Sequence, residues 1–249
     1  MEAPAAAGLA VLTAPEWIAL LVLGALLVLD DTALAQTWLS QPLPAGMLAG
    51  ALLGDVVTGA MVALPLQLVS LANLPVGQGY LCEPTAPAVG AAAAACAGGH
   101  ALGPLDAAGL GAGSPVLGWL VLGTVLASLT GHPLLQWERR IHFLWMLAGH
   151  RSLRDGDLRR VETLQARALV LTAVRGAVAT AVWVLVFGRL WLPLSAGLGP
   201  DLRQAAAWLP LAAVGVAFGV VMERHQPGRA WGWLLAGGAA GIAVVRLLG

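Results

Sequence analysis

Apolar residues dominate the chain, but near its start they come in pieces too short for plain spanning helices. The first run, Trp17 to Leu29, ends after thirteen residues at Asp30 and Asp31, whereas a crossing of the hydrocarbon core takes about 20. Pro42 to Gly54 follows, then Asp55, then Val56 to Leu74, with Pro65 inside it and Pro75 behind it. Apolar segments broken by Gly, Pro and Asp predict re-entrant hairpins and broken helices, because non-helical backbone at membrane depth must be shielded by protein or line a water-filled cavity. The functional region is accordingly placed in residues 30–85. Gly46, Gly50 and Gly54 recur every four residues and predict a helix face that a neighbour approaches closely.

The pattern downstream is simpler. Residues 86–113 are Ala/Gly-rich, helical at first and then a loop around Gly103, Pro104 and Asp106. Pro115 to Leu135 is an uninterrupted spanning candidate. Gln136 to Arg167 is cationic and partly helical, with Ile141, Leu144 and Leu147 spaced for an amphipathic helix on the inner membrane face. Three further spans are predicted at 168–192, 205–222 and 230–248. The whole reads as an all-α polytopic integral membrane protein with about seven to nine membrane helices. Its single membrane domain, residues 1–249, divides into a broken, re-entrant region with a polar site (16–85), spans (86–135), a cytoplasmic amphipathic region (136–167) and C-terminal spans (168–249).

Composition removes the alternatives. Hydrophobic residues make up 59% and charged residues 10%, against roughly 25% charged in soluble domains; a water-soluble fold could not hide that much apolar surface. Thirteen Arg balance thirteen acids with no Lys, so the basic surface that nucleic acid requires is missing. Seven of those Arg (Arg139, Arg140, Arg151, Arg154, Arg159, Arg160, Arg167) fall in one polar stretch, which the positive-inside rule makes cytoplasmic. Glu2 and Glu16, rather than a basic segment, precede the first apolar run, so no cleavable signal is expected. Cys82 and Cys96 have no metal-ligand spacing, and the five His show no HxxxH or HExxH pattern. No catalytic residue, metal site or cofactor is expected. Trp17, Trp38, Trp119, Trp191, Trp208, Trp231 and Trp233 lie near predicted span ends and read as interface anchors; Trp38, beside the polar cluster, has a functional alternative.

The candidate chemistry lies in the first eighty-five residues: Asp30, Asp31, Gln36, Ser40, Gln41, Asp55, Gln67, Asn73, Gln78 and Glu83. A lone carboxylate at the bilayer centre costs about 3 kcal/mol, so such groups face a cavity or a partner. No Arg or Lys precedes Arg139, which leaves three roles: hydrogen-bonding a neutral polar ligand, being protonated, or capping helix ends. A sugar needs such a set, because its hydroxyls donate to carboxylates and exchange hydrogen bonds with amides. The plainer readings are a turn and N-cap at Gly54-Asp55, a helix terminus at Asp30 and Asp31, and interhelical hydrogen bonds for Gln67 and Asn73.

These residues also carry a resemblance. Leu29-Asp30, Leu39-Ser40-Gln41-Pro42-Leu43, Gly50-Ala51-Leu52-Leu53-Gly54-Asp55, Thr58-Gly59, Pro65-Leu66-Gln67-Leu68-Val69 and Leu74-Pro75-Val76-Gly77 follow one another as in enzyme IIC of the mannose, fructose and sorbose family of the bacterial phosphotransferase system. The chain resembles a divergent member of that family. The resemblance implies a sugar-conducting subunit of the bacterial inner membrane, built from a re-entrant V-shaped element and a core bundle. It also implies an enzyme IID membrane partner, cytoplasmic IIA and IIB phosphocarriers, and a trimer of IIC–IID units. Phosphate would reach the sugar through the partners, not through this chain. By position, the sugar-facing candidates are Asp30, Gln36, Asp55, Gln67 and Asn73.

Three departures stand out. Gln67 replaces the usual Glu, Gln41 the usual Arg, and Pro84-Thr85 the usual Pro-Asp. Glu83 sits beside the last and is a sixth candidate as its substitute. Two other functions stay open at this stage: a vitamin or cation uptake component paired with an ATPase, and a non-transporting regulatory subunit. The transport reading implies alternating access around a site near the bilayer midplane.

Overall fold

Glu16 fixes the start of the first helix, its carboxylate accepting both the Thr13 N–H (2.6 Å) and the Thr13 hydroxyl (2.8 Å). This is the side of a capping box in which an acid in the first turn reaches back to the N-cap. The computed structural model describes residues 12–32, 37–70, 83–98, 114–225 and 232. Helix α1 (Ala14–Thr32) runs through the first apolar run and carries Asp30 in its last turn. Helices α2 (Pro42–Leu52) and α3 (Val56–Ser70) form a tight hairpin, and α4 (Thr85–Ala97) returns alongside it. At 1.5 Å per residue α2 and α4 are about 16 and 20 Å long, well short of the roughly 30 Å hydrocarbon core.

The hairpin is possible because of its small residues. A Cβ at Gly59 would lie 3.0 Å from the Gly50 Cα, and one at Gly46 2.8 Å from the Gly59 carbonyl oxygen. The glycine repeat seen in the sequence thus divides its work. Gly46 and Gly50 permit the close approach, while Gly54, at φ +82° with open space around it, makes the turn.

Helix α4 is the centre of the packing. Every residue from Thr85 to Ala95 is buried. One side meets α1, α2 and α7 (Leu158–Leu185) through Leu20, Leu27, Ala45, Ala49 and Val184; the other meets α3 and α5 (Pro115–Thr130) through Val62, Leu117 and Leu120. Its alanines lose no rotamer freedom and let backbones approach, which is how helices associate where lipid removes the hydrophobic drive.

Gly131 joins α5 to the amphipathic α6 (His132–Arg154), and Asp155-Gly156-Asp157 turns the chain into α7. Helix α7 continues through a π-helical stretch, Val186–Trp191, into α8 (Leu192–Ala196), followed by α9 (Pro200–Ala207) and α10 (Leu209–His225). The cationic region is therefore a helical hairpin, more regular than its sequence suggested. Among the described residues three stretches are long and apolar enough to cross a membrane, Pro115–Arg154, Leu158–Ala196 and Pro200–Gly219. They stand beside the shorter α2, α3 and α4; the span expected at 230–248 lies outside the described residues, save position 232.

Trp119 and Trp191 do more than mark an interface. Their rings stack at 4.5 Å, and each indole N–H donates to the other residue's backbone carbonyl (2.7 and 2.8 Å). The pair clamps α5 to the π-helical stretch, where local widening of the helix re-aims a side chain.

Candidate functional site

The segment that leads into α2 is held from three directions. From α1, Asp30 accepts the Thr37 N–H and the Thr37 hydroxyl, both at 2.8 Å, and the Ser40 N–H at 3.3 Å. From α3, the Gln67 side chain accepts the Leu43 N–H and donates to the Gln41 side-chain oxygen, both at 3.2 Å. From the head of α4, the Thr85 hydroxyl donates to the Ser40 carbonyl at 2.6 Å. Non-helical backbone must find partners where water is scarce, and these polar side chains supply them. Trp38, on this segment, is exposed and holds φ 68°, a left-handed conformation that bulky residues rarely adopt.

Behind this segment lies an ion cluster. Arg175, on α7, pairs through Nη1 with Glu83 Oε1 at 2.5 Å and through Nε with Glu138 of α6. Glu138 also accepts from the Thr172 hydroxyl at 2.5 Å, and His142 Nε2 lies 3.8 Å from it. Arg175, Glu83 and Glu138 are all buried. A guanidinium with its donors in a planar fork suits two carboxylates at once. The cluster ties the start of α4 to α6 and α7 across 92 residues of sequence.

The two systems meet at a narrow cleft lined by Asp31, Ser40, Gln41, Glu83, Thr85 and Arg175, with Ser70 and Leu135 nearby. Its interior is about 20 Å³, enough for a water, which needs about 10–15 Å³ by the same measure. A hexose enters only if the walls part.

Of the polar residues singled out from the sequence, Asp31, Ser40, Gln41 and Glu83 line this cleft, while Asp30 and Gln67 stand behind it, bonded to Thr37 and Ser40 and to Gln41 and Leu43. Asp55 belongs to neither group. It sits exposed at the far tip of the α2–α3 hairpin, about 18 Å along the helix from Gln67, and accepts the Thr58 N–H at 2.9 Å as the N-cap of α3. Gln36 and Asn73 lie outside the described residues. The sequence reading missed Arg175, Glu138 and Thr172. The signal was there: Arg175 stands in the middle of the apolar run 168–192, whose other arginine, Arg189, lies near its end, and a charge in the middle of such a run implies a buried partner. It did not say which acid that partner is.

Residues 16–192 match the family model described as the sorbose-specific IIC component of the phosphotransferase system. The chain belongs to this family. It is a multi-pass membrane protein and a sugar-permease subunit of a phosphotransferase system, a transport component that works with other components of that system. Among curated proteins no sequence matches it. A solved structure described as that of a membrane protein superposes with a TM-score of 0.65 at 17% identity, covering 95% of this chain and 96% of that one; at that identity the likeness is one of fold. Gln41 and Gln67, the two positions at which the resemblance implies Arg and Glu, are hydrogen-bonded to each other.

Proposed function

We propose that this IIC component conducts a hexose or related neutral sugar through the cleft between the Ser40-Gln41 segment and the Arg175–Glu83 pair, and that the structure is an occluded state of that path. One observation carries the reading. Backbone and side-chain hydrogen-bonding groups from α1, the α2–α3 hairpin, α4 and α7 converge on a single cleft just where the helices are interrupted. Broken elements of this kind line the central site of transporters. Asp30, Gln67 and Glu83, with Gln36 and Asn73 in the flanking segments, are the sugar-binding candidates; Arg175 joins them, and Asp55 acts at the hairpin tip. The chain works with an enzyme IID subunit, in trimers of the pair, in the bacterial inner membrane. Cytoplasmic IIA and IIB subunits phosphorylate the arriving sugar, which traps it because the bilayer rejects the charged product. The cationic α6–α7 hairpin faces that side.

The test is uptake and phosphorylation of D-mannose, D-fructose and L-sorbose by cells that carry this chain with IID, IIA and IIB subunits. At least one sugar should accumulate as its phosphate, and Glu83→Gln and Arg175→Lys should raise KM for it at unchanged membrane abundance. Accumulation of none of the three by the assembled complex, or unchanged KM in both variants, would overturn the proposal.

A further inference from the structure

The α6–α7 hairpin contains a second, larger concavity that the sugar path does not use. It encloses about 330 Å³ between the two helices, at the lower end of the 300–1,000 Å³ typical of small-molecule sites. Trp145, Met146 and Leu153 line it from α6, and Val161, Leu164 and Ala168 from α7. Gly149 opens it: a Cβ there would meet only Leu164 Cδ1, at 3.9 Å. The outer face of α6 is also apolar, with Phe143, Leu144, Met146 and Leu147 exposed. Such a surface is not stable in water, so the hairpin lies against lipid.

Charge selects the lipid. Between His132 and Ala168 seven arginines face four acids, Glu138, Asp155, Asp157 and Glu162. Glu138 is spent on Arg175, and Asp157 caps α7 by accepting the Arg160 N–H at 3.0 Å. Arg154 follows His150, a lining residue, by one helical turn, and Arg160 precedes Leu164 by one turn; residues four apart share a helix face. Both arginines are exposed. An apolar groove with two guanidinium groups at its turn end complements one acyl chain below one phosphate.

We infer that the α6–α7 groove binds an anionic phospholipid, its acyl chain between Met146, Leu153 and Leu164 and its phosphate at Arg154 and Arg160. This site is independent of the sugar reading and fastens the cationic hairpin to the inner leaflet.

Native mass spectrometry of the full chain in detergent, offered phosphatidylglycerol and phosphatidylcholine of identical acyl composition, decides it. The wild type should retain phosphatidylglycerol in preference, and Arg154→Gln with Arg160→Gln should reduce that preference roughly tenfold or more, at about fivefold per arginine near a charged headgroup. Gly149→Leu fills the groove and should lower retention of both lipids while helical content by circular dichroism stays at the wild-type level. If Gly149→Leu fails to fold, the arginine pair, being exposed, still carries the test. Equal retention of the two lipids by the wild type, or an arginine variant indistinguishable from it, overturns the inference. So does a folded Gly149→Leu that retains phosphatidylglycerol as before, since that outcome means surface charge alone holds the lipid.

Discussion

Gln67 of α3 donates a 3.2 Å hydrogen bond to the side chain of Gln41, just ahead of α2. The resemblance implies Glu and Arg at these two positions, and here both are neutral amides in contact with each other. Two departures that are 26 residues apart in sequence are neighbours in space.

A charge introduced on one side of this contact alone should be costly. Gln67→Glu places a carboxylate against the Gln41 oxygen and should destabilise the protein by about 1–3 kcal/mol. Gln41→Arg added to it should recover most of that loss. Thermal melts of the two variants in the same detergent check the coupling, and identical losses in both would mean the contact is incidental.

Arg175 holds two buried carboxylates. Its replacement by Leu leaves Glu83 and Glu138 facing each other without a cation and should cost about 3–5 kcal/mol. Adding Glu83→Gln and Glu138→Gln removes the stranded charges, and stability measured by denaturant titration should largely return. A triple variant no better than Arg175→Leu would show that Arg175 acts through packing instead.

The α2–α3 hairpin makes opposite demands on its glycines. Gly59→Ala puts a Cβ 3.0 Å from the Gly50 Cα, and with backbone on that side the helices must separate, at about 1–3 kcal/mol. Gly54→Ala meets no atom within 4 Å but sits at φ +82°, so it pays only for conformation, about 1–2 kcal/mol. Cysteine crosslinking between the two helices should fall in the first variant and persist in the second.

At the hairpin tip, Asp55 caps α3. Asn caps nearly as well as Asp, whereas Ala costs about 1 kcal/mol. Asp55→Asn should thus keep both the melting temperature and sugar uptake, while Asp30→Asn, whose two oxygens serve three donors, should lower uptake. Uptake lost equally in both would return Asp55 to the sugar path.

The head of α1 should respond to acid. The backbone N–H of Thr13, and then its hydroxyl, hold the Glu16 carboxyl below its ordinary value of 4.5. A depressed carboxyl contributes stability that is present above the ordinary value and is lost as pH falls through the lowered one. Hydrogen exchange at the first turn of α1 should accelerate as pH drops below about 4.5 once the intrinsic rate is divided out, and Glu16→Gln should abolish that acceleration.

What the chain's own order of residues determined is membrane residence, helicity, the interruptions ahead of Pro42 and at Gly54-Asp55, and the short list of polar groups that must find company there. Each follows from local quantities: run length against bilayer thickness, punctuation by Gly, Pro and Asp, and the cost of an isolated charge. The glycine repeat foretold a close helix contact, and Gly54-Asp55 already read as a turn with an N-cap. The choice of partners belonged to the tertiary structure alone. Glu83 looked cation-free because the nearest arginine in sequence is Arg139, yet its guanidinium comes from Arg175, brought in when α7 packs against α1 and α4. Likewise the Gln41–Gln67 contact exists only once α2 folds back on α3. Pairing energy depends on distance in space, and a linear pattern supplies that distance only within a helix turn or a tight hairpin.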